Sequence, residues 1–328
     1  MTGDSFLVAS GRLRPVWRFF LSTLLVIFLY LFIGTFLGVL AQVLGLNFNL
    51  FASLFVVNLL VLAALLGLFK LFCLYVDEKP LAFVGLAFRG RWKFELAIGF
   101  VLGVVMILAV AGLERAFGAA DFSWSPLGEG QAQKIAIWAF YSFVMFSVAG
   151  ISEELSFRGY PFQRLADSIG PAGATAVFSA LFGLVHLGNT SHTWISTCNT
   201  MLVGVTFAVA YFRTRALWLP VGLHVSWNLV QGYVLGLPVS GINLPASLAR
   251  PQLHGAEILT GGSYGPEGGV LATAVILIGT LYLLFSKSIY VSKEMRELVL
   301  GANPPEGSEP RPAPPEGSNQ ADGQFPQA

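Results

Sequence analysis

The sequence predicts an all-α, polytopic membrane protein of about eight transmembrane helices. Three observations predict it: a surplus of apolar residues, their grouping into runs of membrane-spanning length, and a one-sided distribution of basic residues between those runs. Of the 328 residues, 55% are hydrophobic and only 11% charged, whereas a soluble domain usually carries about 25% charged residues. Such a chain is short of the polar surface that water requires. A bilayer core about 30 Å thick asks instead for about 20 apolar helical residues per crossing. The near-neutral net charge of +1 says little, because the placement of charge matters more than its sum.

The first run follows Arg12, Arg14 and Arg18 and continues from about Phe19 to Leu46. It is too long for the roughly 7–15-residue core of a secretory signal, so a retained helix at about 17–45 is expected. Further apolar segments fall at about 50–75, 94–117, 135–154, 172–188, 195–212, 216–237 and 268–287. The fifth and sixth are short and separated only by the polar stretch from Gly188 to His192. Gly34/Gly38 and Gly99/Gly103 have the small-xxx-small spacing that permits close helix contact. Cys73 and Cys198 read as buried thiols acting as small apolar residues, and no zinc-type cysteine spacing is present.

With the N-terminus in the cytoplasm, sixteen Lys and Arg residues fall on the inside and three, Arg115, Lys134 and Arg250, on the outside. This bias places both termini in the cytoplasm. The domain organisation expected is a membrane domain over 1–300 followed by a disordered Pro/Gly-rich cytoplasmic tail over 301–328, where Pro-Pro-Glu-Gly-Ser occurs twice. The longest outside connection, Pro238 to Glu267, has no role that its sequence discloses.

Ionisable groups inside a membrane segment cost roughly 2.5–3.5 kcal/mol each on insertion scales, and most segments here hold none in their interiors. The exceptions gather in the second half: Glu153 and Glu154 at the end of the fourth segment, His186 late in the fifth, and His224 in the seventh. On a helix Glu154 and Arg158 are i,i+4 neighbours and can pair, while Glu153 points about 100° away. The pattern suggests an anchored carboxylate beside a reactive one. Taken singly, each piece has a plainer explanation: an interfacial ion pair, a structural histidine, or an Asn228 that joins helices by hydrogen bonding. His192 and His254 lie in loops and are assigned no role.

Together the residues complete a chemical set. Peptide hydrolysis needs a base to activate water, donors for an oxyanion and an acid for the leaving amine. A carboxylate, two imidazoles and an amide supply these. Glu153, His186 and His224 could equally hold a divalent metal such as zinc with an open water position. No His-Glu-x-x-His motif, Gly-x-Ser-x-Gly elbow or phosphate loop is present.

Glu153-Glu154-x-x-x-Arg158, Phe182-x-x-x-His186 and His224-x-x-x-Asn228 resemble the three ordered motifs of the CAAX-prenyl-protease and bacteriocin-processing family, the type II CAAX endopeptidases and their bacterial relatives. The likeness covers roughly residues 135–236. It implies an eight-helix fold with a cavity inside the bilayer. By it, Glu153 with His186 would activate water, His224 with Asn228 would stabilise the oxyanion, and Glu154 with Arg158 would position the first motif. Members are often described as metalloproteases, and a metal-free, glutamate-dependent mechanism is also argued for them. The resemblance implies an intramembrane endopeptidase acting on a membrane-associated peptide or protein, prenylated or not, with no nucleic-acid partner. Compactness and the lack of an organelle-retention signal favour a bacterial cytoplasmic membrane. A catalytically silent scaffold or immunity protein on the same fold is the alternative. A transporter or proton relay is less favoured, because residues 1–130 hold no counterpart of the motifs.

One geometric conflict needs a solution. If the fourth and fifth segments were simple antiparallel spans, Glu153 and His186 would lie at different depths. Gly170 stands midway between them in sequence, so a helical hairpin turning at Gly170-Pro171 would restore equal depth. Residues 155–168 are therefore expected to be helical, with a bend at Gly159–Pro161 and Arg158 inside the protein beside Glu154.

Overall fold

The computed structural model describes residues 8–9, 12–46, 50–124 and 131–300. The proposed tail at 301–328 lies outside them. Apolar runs become helices because a helix satisfies every backbone polar group within its own segment. Helix α1 spans Pro15–Val43, with its proline in the first turn where no amide partner is lost. Helix α2 spans Leu50–Leu71 and ends in a π-turn to Asp77. Helix α3 spans Trp92–Ala116, α4 Gln131–Arg158, α5 Tyr160–Val185 and α6 Trp194–Thr214. Helix α7 spans Trp218–Leu229 and runs into a π-turn over Val230–Val234. A one-turn helix, α8 (Glu257–Thr260), precedes α9 (Val270–Phe285) and α10 (Lys293–Leu300).

Each apolar segment expected from the sequence coincides with one of these helices. Five helical stretches among the described residues are long and apolar enough to cross a bilayer, at Pro15–Val43, Leu50–Asp77, Trp92–Ala116, Ala132–Gly188 and Trp194–Thr214. The fourth of these is not one straight rod. Gly159 has ψ −143°, which separates α4 from α5, and Pro161 opens α5. Within α5, Gly170 adopts φ 81°, ψ 165°, outside helical space and in a region that only glycine occupies at low cost. The turn there is tight: the rings of Phe162 and Phe178, each eight residues from Gly170, lie 5.4 Å apart. A continuous helix would separate them by about 24 Å. Phe157 of α4 likewise meets Phe182 at 5.0 Å. The hairpin expected from the residue count is present.

Helices α3 and α7 make the closest crossing. A Cβ on Gly99 would collide with the carbonyl oxygen of Leu219, one on Gly103 with that of Leu223, and one on Gly222 with that of Leu96. The small-residue reading of Gly99/Gly103 holds. That of Gly34/Gly38 does not: nothing stands within 4 Å of either added Cβ. Among the described residues no helix is packed there, and most of α1 faces outward, with only Arg18, Phe19, Ser22 and Val26 buried.

Several other expectations are corrected. Two short antiparallel strand pairs that no segment of the sequence announced accompany the helical fold. Val8–Ala9 (β1) pairs with Arg12–Leu13 (β2), and Ala120–Trp124 (β3) pairs with Ala249–Leu253 (β4). The second pair joins residues about 130 apart in sequence, and no local periodicity announces it. Cys73 is buried, whereas Cys198 is exposed on the outer side of α6. Arg18 and Arg164, counted as loop charges, instead share the buried carboxylate of Asp77, and Arg164 also reaches Asp167 at 3.1 Å. This network ties α1, the end of α2 and α5 together. Two large apolar cores result, one built mainly on α1, α2, α4 and α5 and the other on α3, α6, α7 and α9, with Phe157 packed against both and a smaller cluster around Trp218 and Met295 beside them. The site lies at their junction.

Candidate functional site

The last two turns of α4 carry the first motif. Glu154 is fully buried, and its Oε1 accepts from two donors: Arg158 Nη1 at 3.3 Å and His224 Nδ1 at 3.0 Å. The expected i,i+4 pair is therefore present, and the structure adds His224 as a third member. Arg158 is 1% exposed. Its Nη2 donates to the Gly204 carbonyl at 3.0 Å, and its guanidinium lies 4.7 and 5.1 Å from the rings of Phe182 and Phe207. These aromatic faces attract a cation that has lost its water. A buried charge without such partners would cost several kcal/mol.

The hydrogen bonds fix the protons. A carboxylate only accepts, so His224 carries a proton on Nδ1 toward Glu154. Its ring stacks on Phe207 at 5.0 Å, and its Nε2 stands 3.8 Å from Glu153 Oε2. Glu153 is the freer of the two carboxylates, with 30% of its side chain exposed. His186 closes α5, and its Nδ1 lies 2.7 Å from the Phe182 carbonyl. A carbonyl also only accepts, which leaves His186 Nε2 with a free lone pair when the ring is neutral. The i,i+4 spacing of Phe182 and His186 thus has a physical use: the backbone of one sets the tautomer of the other.

Glu153, His186, His224 and Asn228 all line one cavity of about 550 Å³. Its other walls are largely apolar, with Met106, Met145, Phe146, Phe178, Phe207 and Ile276 among them. Glu153 and His224 stand side by side on its wall, and His186 and Asn228 border the same space. The three side chains that could have held zinc do not close into a ligand set, and no three His, Cys, Asp or Glu residues do so among the described residues. His224 and His186 each turn Nδ1 to an acceptor, Glu154 and the Phe182 carbonyl, which holds each ring and leaves its Nε2 toward the cavity, an orientation also used by metal-ligating histidines. In this arrangement the three side chains are not gathered into a three-residue metal centre.

Sequence reasoning missed two groups on the cavity wall. The first surrounds Glu153: Ser152 donates to Asn58 Oδ1 at 3.1 Å, and Tyr30 meets Ser156 at 3.2 Å. The second is Glu267, whose carboxyl is buried and accepts from Gln231 Nε2 at 2.6 Å and from the Trp227 side chain. Burial pushes the Glu267 carboxyl up to about 7, against the lowering effect of these donors. Gln231 also donates to the Pro238 carbonyl, and Asn199 donates to the carbonyls of Glu267 and Gly269. The outside connection is thus clamped at both ends, and its Val239, Ser240, Ile242 and Leu244 cover part of the cavity. A polar residue within a loop-like stretch gave no sequence signal for this.

Fold and site together define a multi-pass membrane protein whose cavity is bordered by a carboxylate, two imidazoles and a buried Glu–His–Arg cluster. Comparison with known proteins places that assembly. Residues 135–230 match the family model described as type II CAAX prenyl endopeptidase Rce1-like, so the likeness read from the three motifs is borne out over that segment. The chain is also 33% identical over 86 residues to the "Putative membrane peptidase YdiL" of Bacillus subtilis (strain 168). That match covers 26% of this chain and 33% of the relative, so the chain aligns with about a third of the relative's length. No solved structure matches.

Proposed function

We propose that the protein is an intramembrane endopeptidase that hydrolyses a peptide bond of a membrane-associated substrate with water activated by Glu153. One observation carries the reading: of two adjacent glutamates, Glu154 is locked between Arg158 and His224, while Glu153 is left facing the cavity beside His224 Nε2. Glu153 takes a proton from water, and the His186 Nε2 lone pair offers a second acceptor for that water. Glu154 holds the His224 ring, and Arg158 balances the Glu154 charge. His224 and Asn228 border the space where the carbonyl oxygen would gain charge, and donors aimed at that oxygen speed acyl transfer. No step is routed through a metal. The apolar cavity walls suit a lipid-modified or otherwise hydrophobic segment. The basic residues favour cytoplasmic termini, and the likeness to a Bacillus protein favours a bacterial membrane.

The test is cleavage of a membrane-peptide library by purified protein, with Glu153→Gln alongside wild type and a chelator present in one arm. Glu153→Gln should lose activity by at least about a thousandfold, the range expected for an essential general base combined with lost charge, while its melting temperature in detergent stays unchanged. Full activity in Glu153→Gln would overturn the assignment. Abolition of turnover by the chelator, with restoration by stoichiometric zinc, would overturn the metal-free route.

A further inference from the structure

Helix α1 lies outside the three motifs and faces mostly outward, yet one stripe of it borders the cavity: Thr23, Val26, Ile27, Tyr30 and Leu31. These positions follow helical spacing, so they share one face. Tyr30 is the residue that brings a phenol into this apolar enclosure. Its hydroxyl lies 3.2 Å from Ser156 Oγ. Ser156 has one proton, which it gives to the Ser152 carbonyl at 2.7 Å, so Tyr30 is the donor in the contact between them. Ser156 follows Glu153 by three residues on α4, a spacing that puts both on one face, and both border the cavity. Tyr30 also lies within electrostatic reach of Glu153. A polar donor in a membrane helix is expensive and tends to mark a functional site.

We propose that Tyr30 is a catalytic residue of the reaction inferred above, donating a hydrogen bond to the carbonyl oxygen of the scissile peptide. The inference rests on that reading. In the resting state the phenol proton points at Ser156. With substrate bound, rotation about the C–O bond alone turns it to the substrate oxygen. As the water oxygen bonds to the carbonyl carbon, Glu153 takes the water proton, and the carbonyl π pair moves onto the oxygen. Tyr30 stabilises that oxygen without giving up its proton. When the C–N bond breaks, the oxygen pair restores the carbonyl, and the amine leaves with the proton Glu153 carried. Helix α1 is then a working part of the site as well as its wall.

The experiment uses the library peptide that wild type cleaves fastest, with wild type, Tyr30→Phe, Glu153→Gln and a protein carrying 3-fluorotyrosine at position 30. Removing one oxyanion donor typically costs about 10²–10³ in turnover. Tyr30→Phe should therefore lower kcat by at least about tenfold, with KM within about twofold and an unchanged melting temperature. Fluorotyrosine, a stronger donor of nearly the same shape, should keep kcat at or above the wild-type value. If Tyr30→Phe turns over within twofold of wild type, or loses only KM, the inference is overturned. Should Tyr30→Phe melt early, the fluorotyrosine protein decides, and a fall in its kcat overturns the inference. An active Glu153→Gln would sink the peptidase mechanism itself. An inactive Glu153→Gln beside a fully active Tyr30→Phe would remove only the role of Tyr30.

Discussion

Two glycine pairs with the same spacing meet opposite fates in this molecule. Gly99 and Gly103 on α3 receive the backbone of α7 so closely that any side chain would strike a carbonyl oxygen, whereas Gly34 and Gly38 on α1 touch nothing within 4 Å. The α3–α7 crossing supports His224 and Asn228, and α1 contributes the thin wall that carries Tyr30. The spacing of small residues permits close approach without requiring it. What decides is whether a partner helix is brought there by contacts elsewhere, and Gly222 on the facing helix completes the fit in one case only.

That contrast can be broken on its tight side with Gly99→Leu. The added side chain has to move backbone, so the cost should exceed the roughly 1–3 kcal/mol of ordinary overpacking. The expected result is a much lower melting temperature in detergent and loss of the cavity with it. A Gly99→Leu protein that melts like wild type would show that the crossing is not what holds the fold.

An intermediate effect belongs to the clamp at the other end of α7, where Gln231 holds Glu267. Burial lifts this carboxyl from 4.5 to about 7, so the folded protein binds the proton more tightly than the unfolded chain. Its contribution is most favourable below about 4.5 and is lost as the pH rises through about 7. Between pH 5 and pH 8 stability should fall by on the order of 2 kcal/mol from this group. Glu267→Gln should flatten that slope in thermal unfolding measured across the range. A slope left intact by the substitution would place its origin elsewhere.

The smallest effect is expected on the open side. Gly38→Leu adds an apolar side chain to an outward-facing surface that no other described residue approaches within 4 Å, and its effect should stay within about 0.5 kcal/mol, as for most surface changes. A large loss would reveal a partner for α1, such as a second copy or another membrane protein, and detergent-resistant association would detect it.

Much of this was legible in the sequence, for identifiable reasons. The apolar runs gave the helices because length and hydropathy are local properties. The pairing of Glu154 with Arg158 followed from i,i+4 spacing, and the hairpin at Gly170 from nearly equal counts on either side of a glycine that a proline follows. Contacts between distant segments were not legible. Asp77 meets Arg18 and Arg164 across 59 and 87 residues, and β3 meets β4 across a still longer gap of about 130. The third partner of Glu154, His224, comes from 70 residues away. Tyr30 was hidden differently: in a helix apolar on every side, periodicity does not tell which face looks inward.

The hairpin at Gly170 also makes the site a matter of arithmetic. Glu153 and His186 stand seventeen and sixteen residues from Gly170, so the reach from one to the other is set by counting rather than by the side chains in between. One residue gained or lost in either arm would shift everything beyond it by about 1.5 Å and swing it by about 100°, carrying a carboxylate or an imidazole out of the cavity. Substitutions in the arms are therefore far cheaper than changes in their length. Over evolutionary time the two arms are free to drift in composition, and only a matched change in both would leave the meeting point where it is.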